Sequence, residues 1–287
     1  MARCLACGEV GRHWARRAER DLVRCEACGL IWVPAGLLLD EQGATIYEGD
    51  RPVFLEDGNE QYYLDETNTR SCQEKLAWVQ AHVPPGARLL DVGANFGHFL
   101  SVARSVYQAV GLELSGAAVE WSRRRFAVEN HVGSVYAIPT EVGRAHDAVT
   151  LWDVIEHVPR PGEALEALAT VLRPGGLLFL STPDVGSVVA RLLRRRWHYV
   201  DPVQHLALFN ARNLRLLLER AGFEPIGVRS LGHFYRVGYV LDRLAYLHRG
   251  GVPGALAAAL RALGRPARRA TLRLDLGDVM GVVAKRR

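Results

Sequence analysis

The sequence predicts an α/β protein on a doubly wound, mainly parallel sheet, with a short metal-binding ribbon in front and helical insertions near the C-terminus. Three observations carry this reading. Strand-length apolar runs alternate with helix-length stretches over about residues 88–183, the pattern of stacked βαβ units. A glycine-bearing turn, "LLDVGANFGHF", joins the first such strand to its helix, where these sheets bind ligands beyond the carboxyl ends of their strands. Two CxxCG knuckles precede everything else, in "CLACG" and "CEACG".

The knuckles define residues 1–33 as the first unit. Cys4, Cys7, Cys25 and Cys28 give C-x2-C-x17-C-x2-C, a spacing that fits a four-thiolate zinc site. A glycine after each pair, Gly8 and Gly29, permits the tight turn that wraps sulfurs and backbone around one ion. Two disulfides are the competing explanation. They are disfavoured because the start, "MARCLACGEV", has no apolar secretion signal and the chain reads as cytoplasmic. Cys72 stands alone and is expected to be half-buried.

Residues 34–85 read as a helical and irregular connector that covers the pocket, with a helix over about 71–82 stopped by "PPG". The core spans 86–230. Its strands are expected at 88–93, 108–115, 131–137, 146–152 (running into the loop "DVIEHV") and 177–183. Helices are expected at 97–107, 116–128 and 162–172, the last stopped by "RPGG". Regular alternation then breaks. An acceptor-side insertion at 184–221 contains helix 211–221 and leads to a strand at 223–230. A helical excursion, about 233–269, precedes a last strand at 278–285.

Charge narrows the partners. Of the net +5, residues 243–287 carry ten Lys/Arg against Asp275 and Asp278, so the rest of the chain is slightly acidic. The ribbon holds six Arg against four acidic residues. Phosphate neutralisation dominates nucleic-acid affinity, so no nucleic-acid partner is expected. The basic, partly apolar stretch "GVPGALAAALRALGRPARRATLR" suits a lid, a dimer element or a weak membrane-surface contact. Monomer and homodimer both remain open.

Two cofactor classes compete for the first loop. A dinucleotide needs G-x-G-x-x-G, yet Asn95 and His98 stand where the second and third glycines belong. The loop instead resembles motif I of class I S-adenosylmethionine-dependent methyltransferases, with Asn95 in place of a middle glycine. "VGLELS" resembles the ribose-binding second motif. "HDAVTLWDVIEHVPRPGEALEALATVLRPGGLLFLSTPD" resembles the later motif block of the ubiquinone-biosynthesis O-methyltransferase group. The resemblance covers about 86–230 and implies a Rossmann-like methyltransferase sheet. It implies that Asp91, Gly93, Ala94, Asn95 and Gly97 line the methionine portion of S-adenosylmethionine and that Glu113 binds its ribose. Leu114 or Ser115 would then flank the adenine, with Trp152 and Asp153 closing the pocket near the sulfonium.

Methyl transfer to a hydroxyl also needs a base, most often histidine. His157, in "DVIEHV", and His205, in "PVQHLALF", fall on the acceptor side. "QHLALF" resembles the EHLxYF element of deoxysugar C-methyltransferases, which also carry an N-terminal zinc-binding segment. Gln204 and Leu208 replace that element's acid and tyrosine. Arg191, Arg194, Arg195 and Arg196 form a solvated face or clamp a phosphate-bearing acceptor. The expected function is therefore O-methylation of a small molecule such as a sugar, a nucleotide- or lipid-linked glycan, or a secondary metabolite. C- or N-methylation and a zinc-ribbon rRNA methyltransferase are the alternatives.

Overall fold

The computed structural model describes residues 2–34, 66–247 and 265–287. The expectations for 35–65, and for the 248–264 part of the basic excursion, lie outside the described residues.

A seven-stranded sheet forms the centre, in the order β10-β13-β8-β7-β4-β5-β6. Its strands are β4 (Arg88–Val92), β5 (Gln108–Glu113), β6 (Asn130–Val132), β7 (His146–Trp152), β8 (Leu172–Pro183), β10 (Phe223–Ser230) and β13 (Val279–Arg286). Strands β4 to β8 run parallel, and β13 is inserted antiparallel between β8 and β10. The run Leu89, Leu90, Asp91, Val92 is buried on both faces of β4, as expected of a parallel strand between helical layers. Helices α2 (His98–Ala103), α3 (Gly116–Phe126) and α4 (Pro161–Val171) follow β4, β5 and β7 in turn. Ser115 caps α3 by accepting the Ala118 N–H at 3.3 Å.

The helix before the core, α1 (Glu66–Gln80), starts earlier than the sequence suggests. Trp78 and Val79 seat it against Phe179 and Val283 of the sheet. The third strand is shorter than expected. The ladder register with β5 ends at Val132, opposite Glu113, although the Gly133 N–H still donates to Glu113 O at 2.9 Å, and a Cβ at Gly133 would meet Pro139 and Leu112.

The ribbon makes a second sheet from β1 (Gly11–Arg17), β2 (Arg20–Cys25), β3 (Ile31–Trp32) and, from far along the chain, β9 (Ala207–Leu208). Trp32 is buried over Gly11, where any Cβ would strike its ring. The insertion also holds α5 (Val188–Leu193) and α6 (Ala211–Arg220), the latter opened by a reciprocal Asn210–Asn213 capping box.

The excursion is not helical throughout. It begins with β11 (His233–Arg236), continues into α7 (Val237–Leu247), and includes the short α8 (Arg265–Arg269). Strand β12 (Thr271–Leu274) then pairs antiparallel with β11, His233 opposite Leu274. The aromatic, strand-prone "HFYR" finds a partner only forty residues later, which local pattern does not show. Among the described residues, no helix is long and apolar enough to cross a membrane.

Candidate active site

The site lies at the carboxyl ends of the parallel strands and has two ends. The cofactor end is the loop between β4 and α2. Gly93, Asn95 and Gly97 all take positive φ, at 71°, 49° and 74°. A Cβ on Gly93 would come within 2.4 Å of Val154 Cγ2, and one on Gly97 within 2.8 Å of Ser122 Cβ, so both positions require glycine. Asn95 tolerates its left-handed backbone because its own Oδ1 accepts the Phe96 N–H at 2.8 Å.

The loop's donors decide between the cofactor classes. The Gly93 and Ala94 N–H groups donate to Leu112 O, Asn95 N–H to Glu113 Oε2 at 2.8 Å, and Gly97 N–H to Ala94 O. Amides spent inside the loop are not available to cradle a pyrophosphate. The polar groups at this end include the carboxylates of Asp91 and Glu113, which suit a ligand bearing a sulfonium, an amine and ribose hydroxyls. Burial pushes the Asp91 carboxyl up to about 7, against the Thr150 hydroxyl, which donates to it at 2.7 Å, and the more distant Lys75. Burial likewise raises Glu113, opposed by the Ser115 and Asn95 N–H groups. Ser115 donates to Glu113 Oε1 at 2.8 Å, and Leu114 is half-buried beside it. The residues present therefore fit S-adenosylmethionine.

The other end, where the sequence expectation puts the acceptor, collects residues from four separate segments. Asp153 follows β7 with φ 56°. Its carboxylate meets Lys75 of α1 at 3.1 Å and accepts from Ser181 Oγ at 2.8 Å. Burial opposes its ionisation, but Lys75, His233 and Ser181 outweigh this and hold Asp153 below the usual carboxylate range. Trp152 packs against Trp78 and Phe99, with the Lys75 ammonium 5.2 Å from its ring centre. It is as much a core aromatic as a pocket wall. Glu156 is buried, and its carboxyl is raised well above the usual range by desolvation and by Asp153.

His157 and His205 stand side by side, ring centres 4.9 Å apart. His157 Nδ1 lies 2.7 Å from Gln204 O, and His205 Nδ1 lies 2.8 Å from Tyr199 O. A carbonyl only accepts, so each Nδ1 carries its proton and the lone pair sits on Nε2. Burial depresses both imidazoles, His157 to about 3, which keeps them neutral. His233 of β11 joins this end, and burial depresses it too, against the pull of Asp153. Sequence reasoning missed Lys75 and His233. Lys75 sits on an unremarkable helix face, and His233 lay inside an expected helix. Cys72 is half-buried, as expected.

The ribbon is fastened to the acceptor end. Its four thiols are free and lie within 4.8 Å of one another, with Cys4 Sγ 3.5 Å from Cys28 Sγ and Cys7 Sγ 3.4 Å from Cys25 Sγ. Zn–S bonds of about 2.3 Å separate tetrahedral sulfurs by about 3.8 Å, so the set fits one zinc ion. Gly8 and Gly29 close the knuckles, each donating its N–H to the first cysteine of its pair at 2.9 Å. The Cys28 carbonyl accepts from the Asn210 and Asn213 side chains, and Arg220 donates to Ala6 O and Cys7 O. The Val33 N–H donates to Leu206 O, and the Leu206 N–H donates to Glu156 O at 2.7 Å. One hydrogen-bonded path thus runs from the ribbon through Leu206, the neighbour of His205, to the backbone of Glu156.

Comparison with known proteins agrees with this geometry. A methyltransferase-domain family model matches residues 64–228. A ubiquinone biosynthesis O-methyltransferase from Xanthomonas axonopodis is 34% identical over 164 residues, half of this chain and 69% of that protein. A Thermotoga maritima S-adenosylmethionine-dependent methyltransferase superposes with TM-score 0.53 at 18% identity, covering 82% of this chain and 98% of that one. Magnesium protoporphyrin IX methyltransferase from Synechocystis gives 0.51 at 14% identity, covering 84% and 91%. The two structural likenesses speak for the fold alone, whereas the family model and the sequence relative bear on the activity. With its family model matched over more than half of the chain and its sheet order in place, the chain belongs to the class I S-adenosylmethionine-dependent methyltransferases.

Proposed function

We propose that this methyltransferase acts on a hydroxyl oxygen of a small molecule (a sugar, a nucleotide- or lipid-linked glycan, or a secondary metabolite) with His205 or His157 as the base. The observation that carries the proposal is the paired imidazoles, each oriented by a backbone carbonyl on Nδ1 so that Nε2 is the basic nitrogen. When bound, S-adenosylmethionine supplies an electrophilic methyl group. The protein's part is to hold the acceptor oxygen in line with the methyl–sulfur bond, which accounts for much of the rate in such displacements. One imidazole Nε2 takes the hydroxyl proton as the new C–O bond forms. The O-methyltransferase designation of the relatives supports oxygen as the accepting atom.

A cavity of about 1010 Å³ between the ribbon and α5 supports a phosphate-bearing acceptor. It is lined by Trp14, Arg24, Arg191 and Arg194 to Arg196, and guanidinium groups recognise phosphate in a bidentate manner. In this proposal the cysteines hold zinc, and the ion folds the ribbon that braces the acceptor end without entering the chemistry.

The test is methyl transfer from labelled S-adenosylmethionine to a panel of nucleotide sugars, lipid-linked glycans and a ubiquinone precursor, with the product atom located by NMR. His205→Ala is expected to lower turnover about 10²–10⁴-fold while S-adenosylhomocysteine still binds. A methyl group found on carbon or nitrogen, or near-normal turnover in both His205→Ala and His157→Ala, would overturn this assignment.

A further inference from the structure

The cavity of about 1010 Å³ between the ribbon and α5 takes Arg24 from β2, Arg191 from α5, and Arg194 to Arg196 from the turn that follows. We propose that it is a binding site of its own, separate from the pocket of the two imidazoles, for a diphosphate joined to an apolar or aromatic group. Its use as the handle of the methyl acceptor rests on the function proposed above, whereas the binding site itself does not.

The charge of the ligand follows from these arginines. All five are exposed, and none of them forms an ion pair with a carboxylate among the described residues. Asp184, whose carboxyl Arg191 influences, already accepts the Gly186 N–H at 2.7 Å. Like charges gathered on neighbouring turns repel one another, and a polyanion between them removes that cost. A single phosphate ester brings at most about two charges, so a diphosphate matches five guanidiniums better, each with its fork of donors. The backbone adds a second sign. Arg194 holds φ 50° and ψ −121°, a region that a β-carbon disfavours and that glycine enters freely. Strain of this kind gathers where a side chain must meet a ligand.

The rest of the ligand follows from size and lining. Sites for small organic molecules run to roughly 300–1,000 Å³, so a bare anion would leave most of this cavity empty. Trp14 and Val185 line it beside the arginines, and Leu192 and Leu193 are 78% and 45% exposed there. Apolar side chains left in water among guanidiniums suit a ligand with one anionic and one apolar part. The lining is held in place before any ligand arrives. The Arg195 guanidinium lies 5.8 Å from the Trp14 ring centre, Arg17 donates to Arg195 O at 3.0 Å, and Arg20 donates to Pro202 O at 3.3 Å. Such preorganisation lowers the entropy lost on binding. Trp14 packs against an apolar cluster that includes Trp197 and Tyr199. The Trp197 and Tyr199 ring centres are 5.1 Å apart, and the Tyr199 ring is 5.6 Å from that of His205. A molecule anchored by its diphosphate is thus kept near the imidazoles without sharing their pocket, which raises the effective concentration of any hydroxyl it carries.

The test is calorimetry on the full-length protein with uridine diphosphate, farnesyl diphosphate and inorganic pyrophosphate. One of the two esters is expected to bind at least about tenfold more tightly than pyrophosphate, and which one does so tells a nucleotide handle from a lipid one. Arg194→Gln/Arg195→Gln should weaken that ester roughly 10- to 100-fold, whereas Trp14→Ala should weaken the ester and spare pyrophosphate. S-adenosylhomocysteine binding checks that each variant remains folded. With an acceptor that carries the diphosphate, Arg194→Gln/Arg195→Gln should raise KM far more than it lowers kcat. Pyrophosphate bound as tightly as both esters, no probe bound at about 1 mM, or full ester affinity in folded Arg194→Gln/Arg195→Gln would each overturn the site. Methylation of a hydroxyl on a phosphate-free acceptor, with no diphosphate bound, would sink this inference and leave the O-methylation proposal standing. Ester binding that depends on the arginines, without transfer to any hydroxyl, would do the reverse.

Discussion

The two ends of the site are built differently. The cofactor end comes from one contiguous strand–loop–helix–strand, Asp91 to Ser115, and its key contacts, such as Asn95 N–H to Glu113, close within that segment. The acceptor end draws Lys75 from α1, Asp153 to His157 from the end of β7, Tyr199 to His205 from the insertion and His233 from β11. No single stretch of chain fixes its geometry. The ribbon supplies what continuity lacks, pairing β3 with β9 and hydrogen-bonding through Leu206 to Glu156.

If the ends are separable, each should fail alone. The largest effect is expected at Glu113. Glu113→Ala removes a carboxylate that the loop backbone holds and that ribose hydroxyls would share. Charged hydrogen bonds are worth about 1.5–3 kcal/mol, so affinity for S-adenosylhomocysteine by calorimetry should fall roughly 10- to 100-fold. An unchanged affinity would move the ribose elsewhere.

A smaller effect is expected at Lys75, now in stability. Lys75→Met leaves Asp153 without its main counter-charge. The cost should be about 1–3 kcal/mol in denaturant unfolding, below the range for fully buried pairs because the Asp153 side chain is 35% exposed. Lys75→Met/Asp153→Asn should recover part of it. No loss in the single variant would mean that the pair does not organise the acceptor end.

The smallest effect is a pH dependence. Asp91 has its carboxyl raised to about 7 by burial, and a cationic cofactor favours its ionised form. Binding therefore releases a proton below that pH. Affinity for S-adenosylmethionine should rise with pH by at most about tenfold per unit up to about pH 7 and then level off. In Asp91→Asn this proton-linked rise should be absent. A slope that survives the substitution would assign the titration to another group.

How far the sequence discloses the molecule follows the same division. The strand–helix alternation and the tight glycine-bearing turn after β4 are local patterns, and apart from the shorter third strand the structure reproduces them. Asn95 illustrates this, since its tolerance of left-handed backbone was readable from residue type and its φ agrees. His157 and His205 were individually legible as candidates, but their 4.9 Å pairing was not, because 48 positions separate them and only direct bonds between the two segments, Leu206 N–H to Glu156 O and His157 to Gln204 O, bring them together. Lys75 carried no signal at all. Its partner is 78 residues away, and a lysine on an amphipathic helix reads as solvated surface. His233 was hidden by the helical composition around "HFYR", whose strand forms only against Thr271–Leu274.

The most direct test of the ribbon's role is hydrogen exchange on the full-length protein with zinc bound and after chelation. The account predicts faster exchange at Val33, Leu206 and His157, whose amides lie at or near the ribbon-to-Glu156 path, while the amides of 93–97 and 111–115 keep their protection. Protection lost equally at both ends, or unchanged at Leu206 when the metal is gone, would contradict it.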